Sequence, residues 1–230
     1  MKITVIHGQN HRGSTYTIAR MLTDALNGEV TEFFLPGDFS PYCTGCTNCF
    51  ERDEKLCPHY EALKPLADAM NAADVIILDS PVYVYHCSGP MKSFLDHFGY
   101  MWIVHRPVPS MFKKQGVCIT TAAGAGMRAA EKDMADSMFF WGIGRIYKLG
   151  FAVRAVNWKS IPEKKKKKIE RSVSHLTSKI TSRVGKVRPG LKTRAFFSIM
   201  RLLHKRGFND VDDRYWEANG WLDSARPWKK

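Results

Sequence analysis

Four of the six cysteines crowd together as Cys43-x-x-Cys46-x-x-Cys49, followed by Cys57-Pro58. Thiolates at three-residue spacing can wrap one face of a [4Fe–4S] cubane, with the later cysteine closing it. Structural zinc more often uses two knuckles about a dozen residues apart. A cysteine-rich turn with reduced thiols needs no metal at all, so spacing alone leaves all three readings open. Cys87 and Cys118 stand apart, in loop and strand contexts where a thiol packs as a small hydrophobe. The histidines, His7, His59, His86, His97 and His105 among them, show no spacing that makes a metal set.

Three further stretches carry residue types suited to holding a ligand. Gly8-Gln9-Asn10-His11-Arg12-Gly13-Ser14-Thr15 follows a strand and opens a helix, so its N–H groups and the helix N-terminus can take a phosphate. Neither the dinucleotide glycine pattern nor the P-loop pattern is present, and a monophosphate such as that of FMN suits the loop better than a pyrophosphate. Ser80-Pro81-Val82-Tyr83-Val84-Tyr85 reads as an extended segment that exposes backbone groups beside a flat ring, with Tyr83 able to stack. Thr120-Thr121-Ala122-Ala123-Gly124-Ala125-Gly126 is built of small residues that let a ligand approach the backbone.

These stretches need a scaffold, and hydrophobic patterning supplies one. Strands are expected at 2–7, 29–35, 74–79, 115–121 and within 144–156, with helices over Ser14–Leu26, His59–Ala72, Met91–Phe98 and 127–141. The run Val75-Ile76-Ile77-Leu78 has no polar alternation, as in a parallel strand buried on both faces. Alternating strands and helices predict an α/β, doubly wound, five-stranded parallel sheet of order 2-1-3-4-5. The ligand then sits at the carboxyl ends of strands 1, 3 and 4, where the three stretches converge.

Charge divides the chain. Residues 1–150 hold 14 Lys/Arg against 15 Asp/Glu, whereas residues 151–230 hold 21 against 7, so the net +13 belongs to the last third. Lys164 to Lys168 reads as a solvated helix face. From Ala195 to Arg206, Phe196, Ile199, Met200 and Leu203 share one helical face opposite Arg194, Arg201 and Lys205, which suits packing on the domain or on a partner subunit. Peripheral membrane contact by this basic tail is a physical alternative. Nucleic acid has charge in its favour but no recognition motif. The N-terminus reads as a strand entering a turn rather than a signal sequence, so a cytoplasmic location is expected.

Over roughly residues 1–155 the chain resembles the NAD(P)H-dependent FMN reductase and iron–sulfur flavoprotein group of the flavodoxin-like superfamily. Gly8, Gly13, Ser14 and Thr15 match that group's phosphate loop, while Gln9, Asn10 and His11 replace its usual Ser, Pro and Arg. Ser80 to Tyr83, with Ser88, Met91, Lys92, Phe94 and Asp96, is similar to its second signature. Tyr215, Trp216, Gly220 and Trp221 look like the tails of some members, and the cysteine spacing is similar to the compact iron–sulfur motif. The resemblance implies FMN bordered by Pro81, Val82, Tyr83, Val84 and by Thr121, Ala122, Ala123, Gly124, Gly126.

It also implies hydride transfer from NAD(P)H to the flavin and onward passage of electrons to a small-molecule or protein acceptor, with no catalytic side chain required. Two rivals stand beside this reading: an iron–sulfur flavoprotein electron carrier with little nicotinamide activity, and a basic interaction protein scaffolded on the same fold. Residues 1–185 are expected to form the FMN-binding domain and 186–230 a basic, aromatic helical extension. A homodimer is expected, because Phe98, Tyr100, Met101, Trp102 and Ile103 with the apolar C-terminal face exceed what one small domain buries.

Overall fold

The computed structural model describes residues 1–155 and 157–229 of the chain. Strands β1 (Lys2–His7), β2 (Glu29–Phe34), β3 (Val75–Pro81), β4 (Gln115–Ala122) and β5 (Arg145–Ala152) pair in parallel in the order β2-β1-β3-β4-β5. This is the expected 2-1-3-4-5 sheet. Register sets His7 beside Asp79 and Pro81 beside Thr121, so β1, β3 and β4 end along one edge.

Alternate strand residues face opposite layers. Ile6, Ile76, Leu78 and Cys118 meet α3 (Tyr60–Ala72), α4 (Gly89–Asp96) and α5 (Met127–Phe140) through Leu63, Leu66, Met91, Phe94, Met134 and Met138. Ile3, Val5, Ile77, Val117 and Ile119 meet α1 (Ser14–Leu26) and α6 (Glu163–Thr181) through Ile18, Leu22, Ile169, Val173, Leu176 and Ile180. The unbroken apolar run of β3 is therefore buried on both faces. Each such side chain contributes about 1.5–3 kcal/mol when fully removed from water.

Element ends depart from the sequence reading for local reasons. Strand β3 continues through Ser80 and Pro81, which pair with Thr120 and Thr121; a proline closing a strand forfeits only one donor. Helix α4 starts at Gly89 rather than Met91, because the Ser88 side chain accepts from Met91 N and Pro90 fits the first turn. The lysine run lies in α6 as expected, with Lys165 turned inward to donate to Ala152 O.

The last helices, α7 (Leu191–His204) and α8 (Asp210–Ala218), build a third cluster in which Phe197, Trp216 and Trp221 pack on Ile103 and Phe112. One expectation is corrected here. Phe197, not Phe196, leads the buried face of α7, and Ile199 points outward. A helical wheel gives spacing but not the position of the partner, here the Trp216 ring 4.6 Å away. Phe98, Met101 and Ile103 are buried within the chain itself, while Tyr100 and Trp102 are only partly buried. Among the described residues, no helix is long and apolar enough to cross a membrane.

Candidate functional site

The edge where β1, β3 and β4 end opens into a cleft of about 200 Å³ lined by Gln9, His11, Ser14, Thr15, Pro81, Val82, Tyr83, Thr121, Ala122 and Ala123, joined by Val153 and Ala155. Ten residues expected from three separate loops thus face one space. Val153 and Ala155 were missed. They follow β5, which pairs Ala152 with Ala122 and so delivers its outgoing chain to the same edge; the fifth strand itself was the available signal.

The first loop leads into an uncapped helix start. Helix α1 begins at Ser14 with Gly13 in the N-cap position and no side-chain cap. Its first N–H groups are therefore available to a ligand at the positive end of the helix dipole. Ser14 Oγ is buried and has no hydrogen-bond partner among the described residues. A buried hydroxyl left unpaired costs free energy unless a ligand completes it. Gly8 sits deeper: a Cβ there would stand 2.8 Å from Asp79 O and 2.9 Å from Ser88 Oγ, so only glycine fits.

The three loops are tied together by their own side chains. Thr15 and Thr121 share a hydroxyl hydrogen bond of 2.5 Å. Tyr83 OH donates to Gln9 Oε1, and Gln9 Nε2 donates to His11 Nε2 at 2.8 Å. Tyr83 is thus held at the rim by its hydroxyl, with its ring half exposed.

The second loop is not extended throughout. Tyr83 and His86 exchange two backbone hydrogen bonds around Val84 and Tyr85, whose φ angles are 48° and 67°. Two central residues with positive φ make a primed hairpin turn, normally occupied by Asn and Gly. Val84 is 94% exposed at its tip and outside the cleft lining. Gly124 also lies in an exposed loop, where a side chain would meet nothing within 4 Å. Gly126, with φ 95°, is packed under the turn, 2.6 Å from Val82 Cγ1 if a Cβ is added. Its role is to seat the turn.

Below the cleft, His7 Nδ1 donates to Asp79 at 2.5 Å and Nε2 to Glu32 at 3.2 Å. Burial pulls the His7 pKa down, but the bonds to and charges of Asp79 and Glu32 outweigh it and leave it raised. The His7 ring therefore links the ends of β1, β2 and β3. His105 and Arg106 both bond to the buried Asp212 of α8, and Arg106 also donates to Cys49 O. The C-terminal helix is thereby attached to the cysteine loop.

That loop runs without regular structure to α2 (Asn48–Glu51). Cys43 and Cys46 are exposed, and Cys49 and Cys57 half-buried. Burial, then the neighbouring Cys57, Cys43 and Cys46, push the Cys49 thiol up to about 11, so the other three sulfurs lie within electrostatic reach of Cys49. An all-sulfur donor set suits a cluster chemically. Cys87 and Cys118 are buried as expected, with burial raising the Cys87 thiol to about 12. The histidine reading needs correction, because Cys57, His59 and His97 place their ligand atoms within 4.8 Å of one another. His59 and His97 are 38 residues apart and sit at two helix ends, a pairing that no local spacing could reveal.

The family model described as NADPH-dependent FMN reductase matches residues 1–156. An iron–sulfur flavoprotein of Archaeoglobus fulgidus is 32% identical over 114 residues, 49% of each chain. An NADPH azoreductase of a Bacillus species is 30% identical over 109 residues, 47% of this chain and 56% of that one. The chain spans about half the length of the curated relatives it matches. Among solved structures, a flavone reductase superposes with a TM-score of 0.60 at 15% identity, covering 83% of this chain and 66% of that one. The azoreductase AzrA gives 0.57 at 13% identity, covering 78% and 100%. At such identities the likeness carries the fold.

Proposed function

The chain belongs to the NADPH-dependent FMN reductase family, and from that premise we propose that it is an FMN-dependent oxidoreductase drawing on NAD(P)H. One observation carries the proposal: an uncapped helix N-terminus with an orphaned, buried Ser14 hydroxyl opens into a cleft walled by Pro81–Tyr83 and Thr121–Ala123. Ser14, Thr15 and the first N–H groups of α1 would hold the phosphate. Gln9 and His11 stand beside it, and the small third loop leaves room for the ring with N–H donors toward it. Bound there, the flavin supplies two-electron acceptance from a nicotinamide and release to a second substrate.

The chain's own work is positional. The Thr15–Thr121 bond fixes the phosphate wall against the ring wall, and the Tyr83–Gln9–His11 chain fixes the rim. The exposed Tyr83, Val84 and Tyr85 leave an apolar lip, which supports both an aromatic small-molecule acceptor and a homodimer closing over the cleft. The azoreductase relative agrees with the former. Purified protein should bind FMN and oxidise NADH or NADPH when an electron acceptor is added. Protein that takes up no FMN, or that reacts only with a redox protein, would overturn the enzyme reading.

A second reading, the iron–sulfur electron carrier, is favoured by the gathering of Cys43, Cys46 and Cys57 around Cys49 and by the relative from Archaeoglobus fulgidus. It requires about four irons per chain after anaerobic purification, lost on Cys46→Ser while FMN stays bound.

A further inference from the structure

We propose that Cys57, His59 and His97 form a binding site for a single divalent ion of the zinc class. The three candidate ligand atoms lie within 4.8 Å of one another, and His59 Nδ1 faces His97 Nε2 at 3.0 Å. Zinc bonded to nitrogen at about 2.0–2.1 Å and to sulfur at about 2.3 Å has tetrahedral edges of roughly 3.3–3.6 Å. Small side-chain rotations bring this trio to that spacing.

The surroundings are those of a ligand set. His97 is buried, and its Nδ1–H donates to Ser93 O at 2.8 Å. That bond fixes the tautomer and turns the Nε2 lone pair toward His59, the outer-shell arrangement that metal-bound histidines use. Ser93 Oγ donates to Pro41 O at 2.7 Å, so the supporting residue also grips the start of the cysteine loop. Without an ion, a proton occupies the same place, with His59 Nδ1–H donating to His97 Nε2.

Each ligand closes or opens an element. Cys57 follows the short 3-10 helix Glu54–Leu56, His59 is the N-cap of α3, and His97 is the C-cap of α4. An ion at their centre would staple the cysteine loop to two core helices. One thiolate with two imidazoles is a borderline-soft donor set that suits zinc. Cys57 and His59 are only half-buried, which leaves the fourth tetrahedral position open to water.

The assignment separates this centre from a cubane. An all-thiolate cluster needs Cys57 as its closing ligand, whereas here Cys57 belongs to the histidines and Cys43 and Cys46 are free of the ion. The inference is independent of the flavin cleft.

The test loads purified protein with zinc, and in parallel with cobalt(II), desalts it and quantifies the metal per chain. Expected is about one equivalent, with cobalt giving the visible absorption of a tetrahedral thiolate site. Cys57→Ser, His97→Ala and His59→Gln should each lose the ion, while Cys43→Ser and Cys46→Ser keep it. His59→Gln is the safer variant because His59 is half-exposed, and thermal melts with FMN uptake check that every variant folds. Retention of the ion in both histidine variants would overturn the proposal. So would failure of folded wild-type protein to bind either metal, or iron at about four per chain lost equally in Cys43→Ser.

Discussion

Replacing Ser14 with alanine should move two measurements in opposite directions. The hydroxyl is buried and has no hydrogen-bond partner among the described residues, and an unsatisfied buried polar group costs about 1–3 kcal/mol. Removing it should stabilise the apoprotein by about 1 kcal/mol, or roughly 2–4 °C in Tm for a chain of this size. The same hydroxyl placed against a phosphate makes a hydrogen bond to a charged group, worth about 1.5–3 kcal/mol. Its loss should raise the Kd for FMN about 10- to 150-fold. The assay pairs denaturant melts of flavin-stripped protein, read at unchanged slope, with a titration of flavin fluorescence. Ser14→Asp should weaken binding further, because it sets a carboxylate against the phosphate. Unchanged FMN affinity in Ser14→Ala would mean that the phosphate binds elsewhere. A less stable apoprotein would mean that the hydroxyl is already paired.

Gly126→Ala combines positive φ with a Cβ 2.6 Å from Val82 Cγ1 and 3.1 Å from Tyr85 Cα; it should cost about 1–3 kcal/mol and weaken FMN binding, measured by melts and titration. The double change Val84→Asn with Tyr85→Gly suits both positive-φ positions and should raise stability by about 1–3 kcal/mol while reducing self-association in light scattering. The raised His7 pKa means that its contribution is fully present below the unfolded value near 6.5 and is lost as pH rises through the folded value. Denaturant midpoints should therefore fall as pH rises above about 6.5, and Asp79→Asn should flatten that trend. Asp212→Ala leaves the buried Arg106 with only the partly exposed Glu54 carboxylate at 3.6 Å and should cost about 3 kcal/mol in chemical denaturation; a loss under about 1 kcal/mol would show that the extension is not anchored there.

Sheet order and most of the cleft were legible because both depend on local signals. An unbroken apolar run such as Val75 to Leu78, short and rich in β-branched residues, reads as a doubly covered strand, and glycine-rich turns that follow parallel strands lie along the carboxyl edge. Ten of the named loop residues line the cleft for that reason. What stayed hidden depends on contacts distant in sequence. Val153 enters through the pairing of β5 with β4, and the His59–His97 pair through the meeting of two helix ends. The aromatic stretch from Phe98 to Ile103 was visible, but its partner was assigned to another subunit. Phe98 packs on Phe94 and Trp141, and Ile103 joins Trp216 and Trp221, more than a hundred residues later. The Val84–Tyr85 turn escaped notice because its residues contradict its conformation, and such a conflict shows only in φ.

The hydrogen bonds around α4 explain how a cleft made of three loops can be ready before a ligand arrives. Ser88 N donates to Ser80 Oγ, and Ser88 Oγ donates to Gly8 O while accepting from Met91 N. One serine thus joins the second loop, the first loop and the start of the helix. The eight residues of α4 span roughly 12 Å and end at His97, whose ring meets His59 and Phe39. Loops joined in this way lose little further freedom on binding, so more of the contact energy appears as affinity. The same helix carries the phosphate-loop tie at one end and the histidine pair at the other. Ordering the cysteine loop at its far end therefore restrains the element that positions Gly8, without any residue of that loop lining the cleft.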